Sequence, residues 1–170
     1  MTTIDTGRLL LRHFTVDDVQ AIYLMNSIPE VVRYVGNTPI STLDEAKAIL
    51  LEGPLHDYAT YGFGRFACVW KESGEVIGFS GLKFIPELDA VELGYRLLPP
   101  FWGRGLATEA GRASIDYARD ALKLKRLIGL VHPENAGSAN VMRKLGFAVE
   151  GKARLDFIED ADLDLYARGL

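Results

Sequence analysis

Two stretches of this 170-residue chain combine residue types and spacing suited to holding or moving a chemical group. The first, Leu97-Leu-Pro-Pro-Phe-Trp-Gly-Arg-Gly-Leu-Ala-Thr-Glu-Ala110, reads as a strand end, a turn through two glycines, and a helix start with small early side chains. The first four N–H groups of a helix have no partner within it, and the helix dipole places partial positive charge there. An anion such as a pyrophosphate therefore binds with little side-chain help. Gly103 and Gly105 permit close backbone approach, and Arg104 adds a cation on the solvent side. The competing reading is a plain strand-to-helix connection whose glycines only serve the turn. Two familiar phosphate loops do not fit: no Gly-Lys-Ser/Thr ending follows, and Thr108 stands where a dinucleotide fingerprint needs its third glycine.

The second stretch, His132-Pro-Glu-Asn-Ala-Gly-Ser-Ala-Asn-Val-Met-Arg-Lys-Leu-Gly-Phe147, reads as a strand end, a short helix and a glycine stop at Gly146. Asn135 is placed as N-cap and Ser138 in the first turn, and capping alone would account for both. An Asn side chain at one strand end, facing a glycine loop at the end of its neighbour, could instead hydrogen-bond an amide-bearing ligand arm.

The elements around these stretches follow from hydrophobic period and turn chemistry. Arg8 to His13 reads as a strand. Thr15 caps a helix through about Asn26, and Thr42-Leu-Asp-Glu45 opens another with capping-box spacing. Gly53-Pro54 reads as a break. Phe66 to Lys71, Val76 to Ile85 and Val91 to Leu98 form an antiparallel meander. A helix over about 105–122, a strand at 126–131, a helix at 136–145 and strands near 147–152 and 163–167 follow. The order β-α-α-βββ-α-β-α-ββ predicts a mixed α/β sheet with helices on both faces.

Composition sets the class. With 19 Lys plus Arg against 23 Asp plus Glu and 48% hydrophobic residues, the chain reads as one domain over residues 1–170 that can bury a sizeable core. A net charge of -4 argues against a nucleic-acid partner, and no apolar run is long enough for a membrane span. The N-terminus lacks a secretory pattern, and the lone Cys68 fits a reducing compartment, so the expectation is cytoplasmic. Cys68 itself lies in an apolar strand pattern and reads as a small core residue.

In order along nearly the whole chain, Thr6-Gly-Arg-Leu-Leu-Leu-Arg12 with Asp17-Asp18, Pro29-Glu-Val-Val-Arg-Tyr34, Val76-Ile-Gly78, Glu92-Leu-Gly-Tyr-Arg-Leu97, Trp102-Gly-Arg-Gly-Leu-Ala-Thr-Glu-Ala110 and Asn135-x-x-Ser-x-x-Val-x-x-Lys-Leu-Gly-Phe147 resemble the GNAT superfamily of N-acetyltransferases. Within it they resemble the RimJ/RimL-like branch, which includes ribosomal-protein N-terminal acetyltransferases. The resemblance implies an acyl-CoA N-acyltransferase fold with two splayed parallel strands and acetyl-CoA as donor. The cofactor's pantetheine arm would pair with backbone at Leu97 and Leu98. The loop led by Trp102 would hold the pyrophosphate on the amides of Gly103, Arg104, Gly105, Leu106, Ala107 and Thr108. Asn135, Ser138 and Lys144 of the later motif would also serve the cofactor. Two departures are visible: Trp102 replaces the Arg or Gln common at the start of the phosphate loop, and Met142 stands where many relatives carry a general-acid Tyr.

Acetyl transfer to an amine needs a neutral amine, a donor for the developing oxyanion and a tolerable leaving group. Glu92 on the strand leading to the loop is the candidate base, directly or through water, although a strand Glu can equally be a surface acid. Ser138 is the candidate donor to the leaving thiolate, and a strand-end N–H near Leu97 the oxyanion donor. The implied partner is an amine acceptor, first a protein or peptide N-terminal α-amine. The alternatives are a small amine (an amino acid, a polyamine, an aminoglycoside) or a non-catalytic acyl-CoA-binding module. The assembly is open between monomer and homodimer. The scattered His13, His56 and His132 give no metal spacing. Asp160-Ala-Asp-Leu-Asp164 lacks the glycine of a calcium loop and reads as a charged strand edge within an acidic stretch from Asp156 to Asp164.

Overall fold

The computed structural model describes residues 2–36, 38–155 and 162–170. Its strands are β1 (Thr3–Asp5), β2 (Leu9–His13), β3 (Arg65–Trp70), β4 (Val76–Ile85), β5 (Ala90–Leu97), β6 (Arg126–Val131), β7 (Ala148–Ala153) and β8 (Leu163–Gly169). They form one sheet in the order β1-β2-β3-β4-β5-β6-β8-β7. The helices are α1 (Val19–Ser27), α2 (Pro29–Val32), α3 (Leu43–Leu50), α4 (His56–Tyr61), α5 (Leu106–Asp120) and α6 (Ala136–Lys144).

Connection length dictates the pairing. Turns of a few residues return the chain antiparallel at each step from β1 to β5, apart from the long helical excursion between β2 and β3. The parallel step from β5 to β6 needs a crossover, which α5 supplies. The parallel pair is short: Glu92 opposite Ile128 is its only register position, and beyond it the two strands part.

Helices cover both faces. α5 buries Leu106, Ala110, Gly111, Ser114, Ile115 and Ala118, a stripe at helical spacing, against Leu82, Leu93, Leu97 and Phe66. Fully burying a side chain such as Leu106 or Ile115 is worth about 1.5–3 kcal/mol. On the opposite face α1 and α3 pack Ile22, Met25, Ala46 and Leu50 against Ala67 and Phe79. Cys68 is fully buried beneath α5, where burial pushes its thiol pKa up.

Several boundaries differ from the sequence reading. A short strand, β1, precedes Arg8 and pairs with β2. Thr15 caps a single 3-10 turn, Val16–Asp18, before α1 begins. Gly53-Pro54 does not break the chain: a π turn over Leu51–Leu55 takes up the proline ring and joins α3 to α4. The Thr42–Glu45 capping box is present as expected. Of the acidic stretch, residues 156–161 lie outside the described residues. Asp162 and Asp164 pair with Arg154 and Lys152, and β8 is flanked by β6 and β7 and so is not an edge.

Candidate active site

The parity of β5 sorts its side chains. Leu93, Tyr95 and Leu97 face α5 and α6, while Glu92, Gly94 and Arg96 face the side of α1. Because β5 and β6 part after Glu92, a cleft of about 110 Å³ opens between them and is lined from both faces. Glu92, Arg65, Phe79 and Arg96 line one face. Tyr95, Asn135, Ser138 and Met142 line the other, with Tyr34 and His132 in ring contact at its rim.

Glu92 is mostly buried, its side chain 12% exposed. Burial raises its pKa above the ordinary carboxylate value, against the opposing pull of Arg65 and Lys83. Arg65 Nη2 donates to Glu92 Oε1 at 3.3 Å, and its guanidinium lies 4.6 Å from the Phe79 ring centroid. The pair crosses directly over Gly94, where a Cβ would sit 2.9 Å from both Glu92 Oε1 and Arg65 Nη2; any side chain at 94 would displace it.

On the opposite face the Tyr95 hydroxyl donates to the Ser138 carbonyl at 2.9 Å and lies 3.0 Å from Ser138 Oγ. Burial raises the Tyr95 pKa above its ordinary value. Asn135 Oδ1 accepts from the Ser138 N–H at 3.2 Å, so it does cap α6 while lining the cleft. Capping and site placement therefore coincide. Met142 packs so close over Gly129 that a Cβ there would collide with its sulfur. Tyr95 from β5 brings a phenol to this face, where Met142 offers none.

The glycine loop is pinned at its start. Trp102, 48% exposed, donates through Nε1 to the Leu97 carbonyl at 2.6 Å. Gly103 and Gly105 take φ of +69° and +75°, a conformation that costs a non-glycine residue about 1–2 kcal/mol. No side chain caps α5, and the N–H groups from Gly103 to Thr108 have no acceptor among the described residues. That uncapped arc fits an anion such as the pyrophosphate of coenzyme A.

Three expected contacts change. The Leu98 N–H donates to Ile77 and its carbonyl accepts from Phe101, so Leu98 does not offer backbone to the cleft. Strand alternation turns the N–H groups of Tyr95 and Leu97 toward it instead. Arg104 folds back over Trp70 and Phe101, with ring centroids 4.8 and 5.6 Å away, instead of extending over the helix start. Lys144 occupies the exposed last turn of α6, about 13 Å along the helix from Asn135, and does not line the cleft.

Tyr95, Arg65 and Arg96 are site residues to which the sequence motifs assign no role. The signal for two of them was strand parity, since Arg96 is four residues from Glu92 on the same face and Tyr95 three residues away on the other. Arg65 reaches the site from β3, through a register no local pattern encodes.

A larger, more open groove of about 700 Å³ runs along the outer flank of α5, past Glu109, Asp116 and Asp120. Its acids make it a poor extension of an anion site. Beside it Glu109 accepts from Thr6 Oγ1, the Arg8 N–H and Arg8 Nε, and Arg8 Nη1 donates to the Arg104 carbonyl.

The acetyltransferase (GNAT) domain family matches residues 8–148. The chain is 35% identical over 156 residues to the uncharacterized N-acetyltransferase p20 of Bacillus licheniformis, covering 91% of this chain and 86% of that protein. It is 29% identical to the spermidine N(1)-acetyltransferase of Escherichia coli K12, over 86% of this chain and 76% of that one. A solved RimL ribosomal L7/L12 α-N-protein acetyltransferase in complex with coenzyme A shares the fold at a TM-score of 0.82 and 19% identity, covering 99% of this chain and 98% of that one. With a cleft between splayed strands and an uncapped amide arc beside it, the chain belongs to the GNAT family and is an acetyl-CoA-dependent N-acetyltransferase.

Proposed function

We propose that this enzyme acetylates the α-amine of a peptide or protein N-terminus, in the manner of the RimJ/RimL-like branch, by direct attack within a ternary complex. Acetyl-CoA supplies the activated thioester, held by the amides from Gly103 to Thr108, by backbone at Tyr95 and Leu97, and by Asn135. Glu92 takes the ammonium proton, directly or through a water, and Arg65 orients its carboxylate. Ser138, hydrogen-bonded to Tyr95, holds a hydroxyl proton on the opposite face. Base and acid thus flank the cleft, and neither has to move across it.

The observation that carries the acceptor reading is charge. Glu92 is the one carboxylate lining the cleft among the described residues, and Arg65 and Arg96 stand beside it. A polyamine keeps further ammonium groups charged at neutral pH and would set them against two guanidiniums. An α-amine near pKa 8 costs only about 1.4 kcal/mol to deprotonate at pH 7, against about 4.6 for an alkylamine near 10.4, so one modest base suffices. Similarity to the spermidine enzyme keeps a small-amine acceptor as the second reading. Thiol release from acetyl-CoA with N-terminal peptides, amino acids, spermidine and aminoglycosides offered in parallel tests it. Peptide-selective turnover is expected; turnover confined to spermidine would overturn the α-amine reading.

A further inference from the structure

Arg96 is held without a carboxylate, unlike three other part-buried cations: Arg12 pairs with Asp18, Lys83 with Asp57 and Arg65 with Glu92. Arg168 also lacks a carboxylate among the described residues, but it donates to the Leu145 carbonyl and does not line the cleft. Arg96 has no carboxylate partner among the described residues. Its Nη1 donates to Asn26 Oδ1 at 2.8 Å and more weakly to the Met25 carbonyl at 3.4 Å, in the last turn of α1. The Nη2 and Nε groups have no acceptor among the described residues, and the side chain lines the cleft. Burial, with the Arg65 charge behind it, lowers its pKa to about 10. Both guanidiniums lie over one ring, Arg65 at 4.6 Å and Arg96 at 5.2 Å from the Phe79 centroid. A guanidinium held in a cleft without a counter-charge is costly unless an anion joins it. The helix end accounts for one of its three nitrogens.

We propose that Arg96, with Arg65 beside it, recognises a carboxylate carried by the acceptor itself. This rests on the α-amine reading above. Glu92 leans over Gly94, two strand residues from Arg96, so the base and the Arg96 guanidinium stand on one face of the cleft. The acceptors that carry a carboxylate besides the reacting amine are a peptide N-terminus with an acidic side chain at its second or third residue and a dicarboxylic amino acid.

The test is steady-state kinetics of wild type, Arg96→Gln and Arg96→Lys on matched acceptors. These are peptides with Glu, Gln or Lys at position two or three, free glutamate and glutamine, and spermidine. One charge-assisted contact predicts about a tenfold preference of wild type for the Glu peptide over the Gln peptide in kcat/KM. Arg96→Gln should bring that ratio to within twofold, and Arg96→Lys should retain part of it. Because a ratio between two acceptors is read on one enzyme, partial loss of folded protein does not mimic the effect. Turnover of peptides without acid preference overturns this proposal alone, as does an equal loss on both peptides in Arg96→Gln, which would assign Arg96 to holding α1. An Arg96-dependent preference for free glutamate, with peptides inert, supports carboxylate recognition and replaces the peptide by a small acceptor. Turnover of spermidine alone overturns both readings.

Discussion

Replacing Glu92 by Gln should separate binding from chemistry and also report the class of amine. Gln keeps an oxygen for Arg65 to donate to across Gly94, so the cleft retains its shape, and the amide arc of the glycine loop is untouched. Coenzyme A affinity should stay within twofold. A general base contributes about 10²–10⁴-fold. For an α-amine near pKa 8, about one molecule in ten is already neutral at pH 7, so the expected loss in kcat is at the low end, about 10²–10³, or about 2.7–4 kcal/mol. The pH profile carries the second reading. Wild-type activity falls as Glu92 protonates, and because burial raises its pKa that limb lies above the ordinary carboxylate range. In the variant this limb disappears, and the residual rate follows the neutral amine, rising tenfold per pH unit. An α-amine makes it level off near pH 8, whereas an alkylamine keeps it rising past pH 10. The assay is stopped-flow thiol release under saturating acetyl-CoA from pH 5.5 to 10.5. A kcat within threefold of wild type, with cofactor binding intact, would refute Glu92 as base.

Three further outcomes follow from the geometry. Tyr95→Phe and Ser138→Ala should each lower kcat about three- to tenfold, and the double variant should be little worse than the poorer single one, because the hydroxyls act as one hydrogen-bonded unit; fully additive losses would separate them. Gly105→Ala should weaken coenzyme A binding about tenfold by calorimetry and cost about 1 kcal/mol of stability, since φ of +75° is strained for alanine while the nearest atom to its Cβ, Arg8 Nη2 at 3.7 Å, leaves room. Asp18→Asn should lower the melting temperature by about 5–10 °C at pH 7, from a loss of about 2–3 kcal/mol as the bidentate Arg12 pair breaks. Burial pulls the Asp18 pKa up, but Arg12 and the Thr15 N–H outweigh it and hold it below 3.8. The contribution is therefore present above the unfolded pKa and lost as pH falls through the folded one, so the two melting curves should converge in strong acid.

The meander, the crossover helix and the glycine loop were legible because each rests on a local signal: alternation, helical spacing, or a turn residue. The strand bounds 76–85 and 126–131 coincide with the reading for that reason. The π turn at Leu51–Leu55 is not legible, because Gly-Pro is a breaker locally, whereas Ile49, Leu55 and Tyr58 on either side of it pack against the core and keep the chain helical through it. At the site, the motif strings mark Glu92, Asn135 and Ser138, and all three line the cleft. Leu98 lies one residue past the backbone that faces the cleft, and that single step reverses the direction of its N–H and carbonyl. Arg65 was illegible because its place depends on the β3–β4–β5 register, 27 residues from its partner.

That long-range dependence also explains motif residues that touch no part of the cleft. An acid in the first turn of α5 helps an isolated helix but opposes an anion arriving at the same amides. Glu109 is that acid, yet its carboxylate is turned away and held by Thr6 and Arg8. Burial would raise its pKa, but those partners outweigh it and keep it low, so it remains an anion with its charge met by Arg8. Arg8 also holds the Arg104 carbonyl, fixing the loop from behind. The Thr6-Gly-Arg8 turn, far away in sequence, thereby both neutralises the helix's own acid and sets the backbone that presents Gly103 to Thr108. Arg8→Ala should accordingly weaken coenzyme A binding without contacting it. The loss should be larger than for Thr6→Ala, because Thr6 only hydrogen-bonds Glu109 whereas Arg8 removes both the counter-charge and the tether.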